Sequence, residues 1–108
     1  MLLQDEKELE SFLQQNQDKL VLIKFFAEWC PPCHELQRNL SQLEKESLNL
    51  VILKVDVEKF PQVAQRSEFQ VGSLPTLFLF RPQQATVEKK VGRQSLPQLR
   101  EWIENKAR

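Results

Sequence analysis

Apolar residues in this chain follow two different spacings, and each spacing predicts a different kind of element. The first segment shows helical spacing, with apolar residues at Leu9, Phe12 and Leu13. Asp5 stands three residues before Glu8, which is the pattern of a capping box at the start of a helix. The sequence therefore predicts a first helix that ends near Gln15.

Four strands are predicted, and the first, Leu20–Phe26, is a continuous apolar run rich in β-branched residues, which indicates a central strand buried on both faces. The predicted strands are Leu20–Phe26, Leu50–Val57, Thr76–Phe80 and a fourth that ends near Val91 after a turn at Arg81–Ala85. Lys24 is the only charged residue in the first of these strands. It is therefore the one position where the apolar pattern of this central strand is broken.

Three further helices are predicted. The second begins at Pro31 and Pro32, since prolines suit a first helical turn, where a missing N–H costs nothing. Its apolar face consists of Leu36, Leu40 and Leu43. A short helix is expected at Pro61–Arg66. The closing helix follows a second capping box, Ser95 with Gln98, and its apolar face consists of Leu99, Trp102 and Ile103.

The order of these elements predicts the topology of the sheet. Strands separated by a helix pair in parallel through a crossover, whereas the last two strands, joined by a short turn, must be antiparallel. We therefore expect an α/β protein with a mixed central sheet and helices on both faces. The length of 108 residues fits one domain that spans the whole chain, residues 1–108.

Composition and charge exclude several classes of function. Fifteen Lys and Arg residues balance fifteen Asp and Glu residues, so no long-range field would attract nucleic acid or an anionic membrane. The first residues lack the basic flank and apolar stretch of a secretory signal, and no apolar run approaches the ~20 residues of a membrane span. We expect a cytoplasmic monomer that binds neither nucleic acid nor membrane.

The only two cysteines, Cys30 and Cys33, follow the first strand directly. A disulfide between them would close too small a ring to restrict the unfolded chain, so their use should be chemical. A helix N-terminus stabilises a thiolate through its dipole and free N–H groups, which makes Cys30 the attacking sulfur. Cys33 lies nearly one turn further along the same side of the helix, where it can resolve a mixed disulfide.

Other interpretations of the cysteine pair remain open at this stage. A structural zinc site wants four ligands, and His34 is the only further candidate nearby. His34 should point about 100° away from Cys33 around the helix, so we expect no metal site. An inert pair is a further alternative. His34 itself is either a proton shuttle or, in the interpretation we favour, an exposed side chain of the first turn.

The segment Phe25-Phe26-Ala27-Glu28-Trp29-Cys30-Pro31-Pro32-Cys33 resembles the active site of the thioredoxin family. Three further segments match that family in order and spacing: Val55-Asp56-Val57, Ser73-Leu74-Pro75-Thr76 and Val91-Gly92. The resemblance spans nearly the whole chain. It implies a thioredoxin-like three-layer fold with a central mixed sheet of four to five strands, flanked by four helices. The first strand of the family would here be reduced to about Leu2 and Leu3.

The resemblance also implies roles for residues outside the cysteine pair. Pro75 should follow a cis peptide bond, which would leave the Leu74 backbone free to pair with an extended substrate segment. Trp29, Ser73, Leu74 and Gly92 should line the groove in which this substrate segment binds.

One departure from the family concerns the residues beneath the cysteines. Thioredoxins usually carry a buried Asp, credited with moving the proton of the resolving thiol, at the position of Lys24, and Lys54 matches the lysine that usually pairs with it. Burial and like charge both lower a lysine pKa, so one hypothesis is that one of these two lysines is neutral near pH 7 and acts as the base for Cys33. The alternative is that Lys24 extends to solvent, toward Glu28 or Glu58.

We therefore predict a protein-disulfide reductase that needs no bound cofactor. Its partners would be protein disulfide substrates and a flavoprotein electron donor of the thioredoxin-reductase kind. Two alternatives remain: a disulfide oxidant or isomerase, favoured by extra positive charge near the sulfurs, and a thioredoxin-like binding or co-chaperone module with weak turnover.

Overall fold

In the computed structural model, which describes residues 1–46 and 49–107, the elements follow the predicted order. The helices within these ranges are α1 (Glu8–Gln15), α2 (Pro31–Glu46), α3 (Pro61–Ala64) and α4 (Leu96–Ala107). The strands are β1 (Leu20–Phe26), β2 (Leu50–Asp56), β3 (Thr76–Phe80) and β4 (Val87–Val91). Among the described helices, none has the length and apolar content needed to cross a bilayer.

Two predicted boundaries were slightly too long. β2 ends at Asp56 rather than Val57, because the Asp56 carboxylate accepts the N–H of Glu58 at 2.9 Å and turns the chain. α3 ends at Ala64 rather than Arg66, because the Ala64 carbonyl accepts the N–H of Val71 at 2.9 Å instead of a helical donor. Both differences arise from local hydrogen bonds that apolar spacing does not encode.

The four strands form one mixed sheet in the order β2-β1-β3-β4. β1 and β2 are parallel, while β3 is antiparallel to both β1 and β4, as the connections predict. Beyond β2, Leu2 forms an isolated parallel bridge with Lys54, and the Leu3 N–H donates to the Lys54 carbonyl at 2.9 Å. This bridge confirms the expectation that the first strand is reduced to Leu2 and Leu3. The other edge, β4, carries Glu88, Lys89 and Lys90.

One of the two predicted capping boxes is complete, and the other forms only in part. At α4, Gln98 N–H donates to Ser95 Oγ at 3.2 Å, and Ser95 N–H donates back to Gln98 Oε1 at 2.9 Å. Near α1, the N–H of Asp5 donates to Glu8 Oε1 at 2.9 Å, but the Asp5 carboxylate accepts the N–H of Lys7 instead of Glu8. The second half of that box is therefore shifted by one residue.

The two faces of the sheet bury separate apolar layers. On one face, α1 and α3 cover side chains of β1, β2 and β3 that include Phe25 and Phe78, which pack edge to face at 5.8 Å between ring centroids. On the other face, α2 and α4 cover Leu20 and Leu22 of β1 with an apolar layer that includes Leu40. This arrangement confirms the three-layer fold.

The topology brings three distant segments to one edge of the sheet. β1 and β2 run parallel, with Phe26 paired to Asp56, so both strands end at this edge. β3 runs the opposite way and begins there at Thr76, which pairs with Phe25. The segments that follow β1 and β2, and the segment that precedes β3, are therefore neighbours. One of these segments carries the cysteines.

The apolar layer beneath α2 gives a stability prediction. Leu40 is fully buried in that layer, so Leu40→Ala should lower the free energy of unfolding by about 2–5 kcal/mol through lost burial and the cavity left behind. Arg38→Ala, at an exposed position of the same helix, should change it by less than about 0.5 kcal/mol. Denaturant unfolding of the two variants measures the difference, and equal losses would show that this face of α2 is not the one that supports the sheet.

Candidate active site

The two cysteines form a disulfide at the start of α2. Cys30 immediately precedes the helix and Cys33 lies in its first turn, with 5.3 Å between their Cα atoms. Both residues are nearly inaccessible, at 3% exposure for Cys30 and 1% for Cys33. The sulfurs therefore have the one-turn spacing that the sequence predicted, but Cys30 is only slightly more exposed than Cys33.

The backbone N–H groups at this helix start are all accounted for. The N–H of Cys30 donates to the Ala27 carbonyl at 3.2 Å. Pro31 and Pro32 have no N–H, and the N–H groups of Cys33 and His34 donate to the Cys30 carbonyl at 3.1 and 3.3 Å. The expectation that free N–H groups would stabilise the Cys30 thiolate is therefore wrong for this structure. The helix dipole remains as the expected source of stabilisation for the thiolate.

A groove of about 530 Å³ opens beside Cys30. The lining residues come from three segments and are all uncharged: residues 29–32, then Val57, Pro61, Ala64 and Gln65, then Val71, Gly72 and Leu74. Trp29 stands at its rim with 67% of its surface exposed. An uncharged, largely apolar groove next to a sulfur fits an apolar peptide segment that flanks a cysteine.

A second, smaller cavity of about 210 Å³ lies beside Cys33. Its polar lining residues are Lys24, Glu28, His34, Gln37 and Lys54. Cys30 is absent from this lining, and Cys33 is absent from the lining of the groove. The two cysteines therefore border two different spaces: the groove is lined by uncharged residues alone, whereas the smaller cavity is also lined by charged ones.

Lys24 is buried beneath the helix start, with 3% of its surface exposed. Its Nζ donates to the Cys33 carbonyl and to Gln37 Oε1, both at 3.0 Å, and lies 5.2 Å from the centre of the Phe26 ring. In β2, Lys54 is its direct cross-strand partner. The alternative in which Lys24 extends to solvent toward Glu28 or Glu58 is therefore wrong, because its amine is used by backbone and amide oxygens of α2.

His34 lies in the first turn of α2 and its side chain is exposed, as we expected from the sequence. Its Nε2 lies 2.6 Å from the Glu28 carbonyl oxygen, so the ring is fixed across the loop before α2. Over residues 1–46 and 49–107, no three His, Cys, Asp or Glu side chains cluster in a way that could hold a metal ion.

Comparison with known proteins assigns this arrangement to one family. The family model described as Thioredoxin matches residues 1–105. The chain belongs to the thioredoxin family. Thioredoxins are protein-disulfide oxidoreductases, so the predicted class of activity, thiol-disulfide exchange, is confirmed.

Individual thioredoxins support the assignment in sequence and in structure. A thioredoxin from Chlamydia trachomatis is 43% identical over 83 residues, which cover 77% of this chain and 78% of that protein. The structure of the germline-specific thioredoxin Deadhead from Drosophila melanogaster has a TM-score of 0.85 at 26% identity, covering 97% of each chain. Thioredoxin from Fasciola hepatica has a TM-score of 0.84 at 27% identity, also covering 97% of each chain.

The structure brings some of the remaining thioredoxin-like positions together. The Leu74–Pro75 peptide bond is cis, as the resemblance implied. Gly92 has a φ of +88°, and its N–H donates to the Pro75 carbonyl at 2.8 Å, so it lies directly beside this turn. Trp29 and Leu74 line the groove, whereas Ser73, Pro75 and Gly92 are not among its lining residues.

Sequence reasoning missed the part of the groove that α3 and the following loop provide. Pro61, Ala64, Gln65, Val71 and Gly72 line it, yet none was predicted as a site residue. Parallel strands place the loops at their carboxyl ends side by side, so the segment after β2 was the signal that could have identified α3.

The buried position of Lys24 lowers its pKa to about 8, mainly through desolvation and further through the nearby Lys54 charge. This direction agrees with the prediction from sequence. A pKa of about 8 nevertheless leaves most Lys24 side chains protonated at pH 7 in the disulfide form. Lys24 at neutral pH is thus chiefly a buried ammonium rather than a neutral base.

The lowered pKa of Lys24 predicts how stability depends on pH. Below about pH 8 both native and unfolded chains carry the charge, and the native state bears its full desolvation cost. Between about pH 8 and pH 10.5, the ordinary pKa of lysine, Lys24 is protonated in the unfolded chain but has lost its proton in the native state. In this range the free energy of unfolding therefore rises with pH. Lys24→Met should therefore stabilise the oxidised protein at pH 7, on the order of 2 kcal/mol.

Denaturant unfolding of the oxidised wild type and Lys24→Met, from pH 7 to pH 10, tests this expectation. The two stabilities should converge as the pH rises. Lys45→Met, which removes an exposed charge from the last turn of α2, is the matched control and should show no such convergence. A constant difference between wild type and Lys24→Met across this range would contradict the lowered pKa.

Proposed function

We propose that this protein is a protein-disulfide reductase in which Cys30 is the attacking sulfur and Cys33 is the resolving sulfur. The observation that carries the proposal is the different surroundings of the two cysteines. Cys30 lines the uncharged groove, where a substrate segment can approach it, whereas Cys33 lines the smaller cavity, together with Lys24 and Lys54. The sulfur that meets the substrate first is therefore Cys30.

The reaction consists of two exchanges. The Cys30 thiolate attacks a substrate disulfide, which forms a Cys30–substrate bond and releases one substrate sulfur as a thiolate. Cys33 then attacks Cys30, which restores the Cys30–Cys33 disulfide and releases the second substrate sulfur. The substrate gains two electrons and two protons, which the dithiol form of the protein supplies. Thioredoxin reductase reduces members of this family, and we propose a flavoprotein of this kind as the electron donor.

The turn before β3 would hold the substrate segment. Among the described residues, none forms a hydrogen bond with the backbone N–H or carbonyl of Leu74. An extended substrate could pair with these free groups as an added strand, next to the exposed Trp29. In this proposal Pro75 keeps the Leu74 backbone turned toward the groove, Gly92 supports Pro75 through its N–H, and Ser73 extends the rim.

The proposal includes the setting in which the chain works. A single domain over residues 1–108, acting as a monomer in the cytoplasm, would suit a reductase that a soluble donor keeps reduced. It would require no bound cofactor, because both electrons reside on the cysteine pair. Neither nucleic acid nor membrane would take part, since the net charge of zero gives no general attraction to either.

Reduction of insulin, followed as turbidity in the presence of dithiothreitol, tests the activity and the roles of the cysteines. Cys30→Ser should fall to the rate without protein, because no attacking sulfur remains. Reduced Cys33→Ser, mixed with insulin after dithiothreitol has been removed, should accumulate a mixed disulfide with the substrate, visible on a non-reducing gel. A binding or co-chaperone module without redox turnover would instead give the same insulin result for the wild type and Cys30→Ser, and this outcome would refute the proposal.

A second candidate, a disulfide oxidant or isomerase, is favoured by the buried positive charge of Lys24 beside the cysteine pair. The reduction potential, measured by equilibration with glutathione, separates the candidates. For the proposed reductase we expect a value well below the glutathione couple, near the approximately −270 mV typical of thioredoxin. A value well above the glutathione couple would identify the oxidant instead.

A further inference from the structure

Lys24 is a buried cation whose two hydrogen-bond partners are both neutral. Over residues 1–46 and 49–107, no carboxylate lies within salt-bridge distance of its Nζ. Its two hydrogen bonds go to the Cys33 carbonyl and to Gln37, both on α2. Burying an ammonium without a counter-charge is costly, and proteins rarely keep such a group without compensation. In the disulfide form, these contacts supply no compensating negative charge.

Other charged groups near Lys24 do not neutralise it. Lys54 of β2 is its cross-strand partner and adds a second positive charge. Glu28, in the loop after β1, lines the same cavity, but its side chain is exposed and forms no ion pair with Lys24. His34 of α2 lines the cavity too, with its ring directed to the Glu28 carbonyl. Asp56, buried in β2 two residues after Lys54, accepts the Glu58 N–H and forms no ion pair with Lys24. Of the two residues that accept a hydrogen bond from Lys24, only Cys33 can become negative, after reduction.

We propose that the Lys24 ammonium stabilises the thiolate of Cys33 in the reduced protein, so that Cys33 becomes the resolving nucleophile without a carboxylate base. This inference rests on the proposed function, because it concerns the second of its two exchanges. Lys24 is a positioning residue here: it touches the backbone oxygen of Cys33, at 3.0 Å, and acts on the sulfur through its charge. Gln37 fixes the ammonium in place through the second hydrogen bond.

The proton balance of the resolving step follows from this arrangement. Cys33 loses its thiol proton to water, and the polar cavity beside Cys33 offers a route that does not cross the substrate groove. The thiolate attacks Cys30, the Cys30–Cys33 bond forms and the Cys30–substrate bond breaks. The substrate sulfur leaves as a thiolate and takes a proton from solvent. Lys24 keeps its proton throughout, which separates this mechanism from one in which Lys24 is a base.

The size of the effect can be estimated from the charge of Lys24. An opposite charge within about 4–6 Å typically lowers the pKa of a thiol by about 1–3 units. The Lys24 Nζ lies 3.0 Å from the carbonyl oxygen of Cys33, in the same residue as the sulfur, so we take the lower end of this range. Removal of the Lys24 charge should therefore raise the pKa of the Cys33 thiol by at least about one unit. A higher pKa makes the remaining thiolate a better nucleophile, so the rate of its reaction at pH 7 should fall only about threefold per unit.

The experiment isolates Cys33 in a Cys30→Ser background and follows thiolate absorbance in the ultraviolet as a function of pH. Adding Lys24→Met should raise the pKa of Cys33 by at least about one unit. Adding Lys24→Gln, which retains a hydrogen-bond donor but has no charge, should raise it similarly. If Lys24→Gln keeps the wild-type pKa of Cys33, or if Lys24→Met leaves it unchanged, the proposal fails.

Two control variants test whether the effect is local. Lys45→Met removes a charge from the same helix, twelve residues after Cys33 or about 18 Å along the axis, where screening should remove any effect. Its Cys33 pKa should equal that of the Cys30→Ser parent. Lys54→Met removes the neighbouring lysine, whereas the hydrogen bond to the Cys33 carbonyl comes from Lys24, so this variant should shift the Cys33 pKa less than Lys24→Met does. Shifts of equal size in all the lysine variants would overturn the local role of Lys24.

A measurement on the wild type keeps the test independent of folding of the variants. NMR titration of the Lys24 side chain in the disulfide and dithiol forms should give a higher Lys24 pKa after reduction, since a thiolate favours the ammonium. An unchanged Lys24 pKa would refute the proposal. These outcomes differ from failure of the proposed function: loss of insulin reduction by the wild type refutes the reductase, whereas unchanged Cys33 and Lys24 pKa values refute only the role of Lys24.

Discussion

The pairing of β1 with its two neighbours is the constraint on which the rest of the structure depends. β1 lies between β2 and β3 and is buried along almost its whole length by helices on both faces. Its register is fixed by side-chain burial, since a shift of one residue would move the side chains of each apolar layer to the opposite face of the sheet. The cysteines follow the last residue of β1, so the position of that strand determines where α2 begins and which space each cysteine faces.

Much of this arrangement could be predicted because it is local in the sequence. The apolar run of β1, the capping box of Ser95 and Gln98, and the prolines that begin α2 each carry their own signal over a few residues. The Leu74–Pro75 cis bond could not be obtained from such signals, and was expected only because the segment resembles thioredoxins. Elements whose signals lie within a few consecutive residues could therefore be predicted from the residue types alone.

The parts that could not be predicted depend on contacts between distant segments. The contribution of α3 and the loop after it to the groove follows from the parallel pairing of β1 and β2, which end at the same edge of the sheet; it can be inferred only from this topology, not from any pattern within residues 61–72. The partners of Lys24 were also missed, although Gln37 lies one turn after Cys33 on the same side of α2. Burial of a single lysine could be inferred from its strand, but its hydrogen-bond partners could not.

The unequal edges of the sheet affect how this protein behaves at high concentration. An open strand edge offers free backbone groups that can pair with a second molecule and begin aggregation. Here the β2 edge is partly covered by the bridge at Leu2, while the β4 edge presents the charged residues Glu88, Lys89 and Lys90. Intermolecular strand addition is thus discouraged by coverage on one side and by charge on the other, so both edges of the sheet work against this form of aggregation.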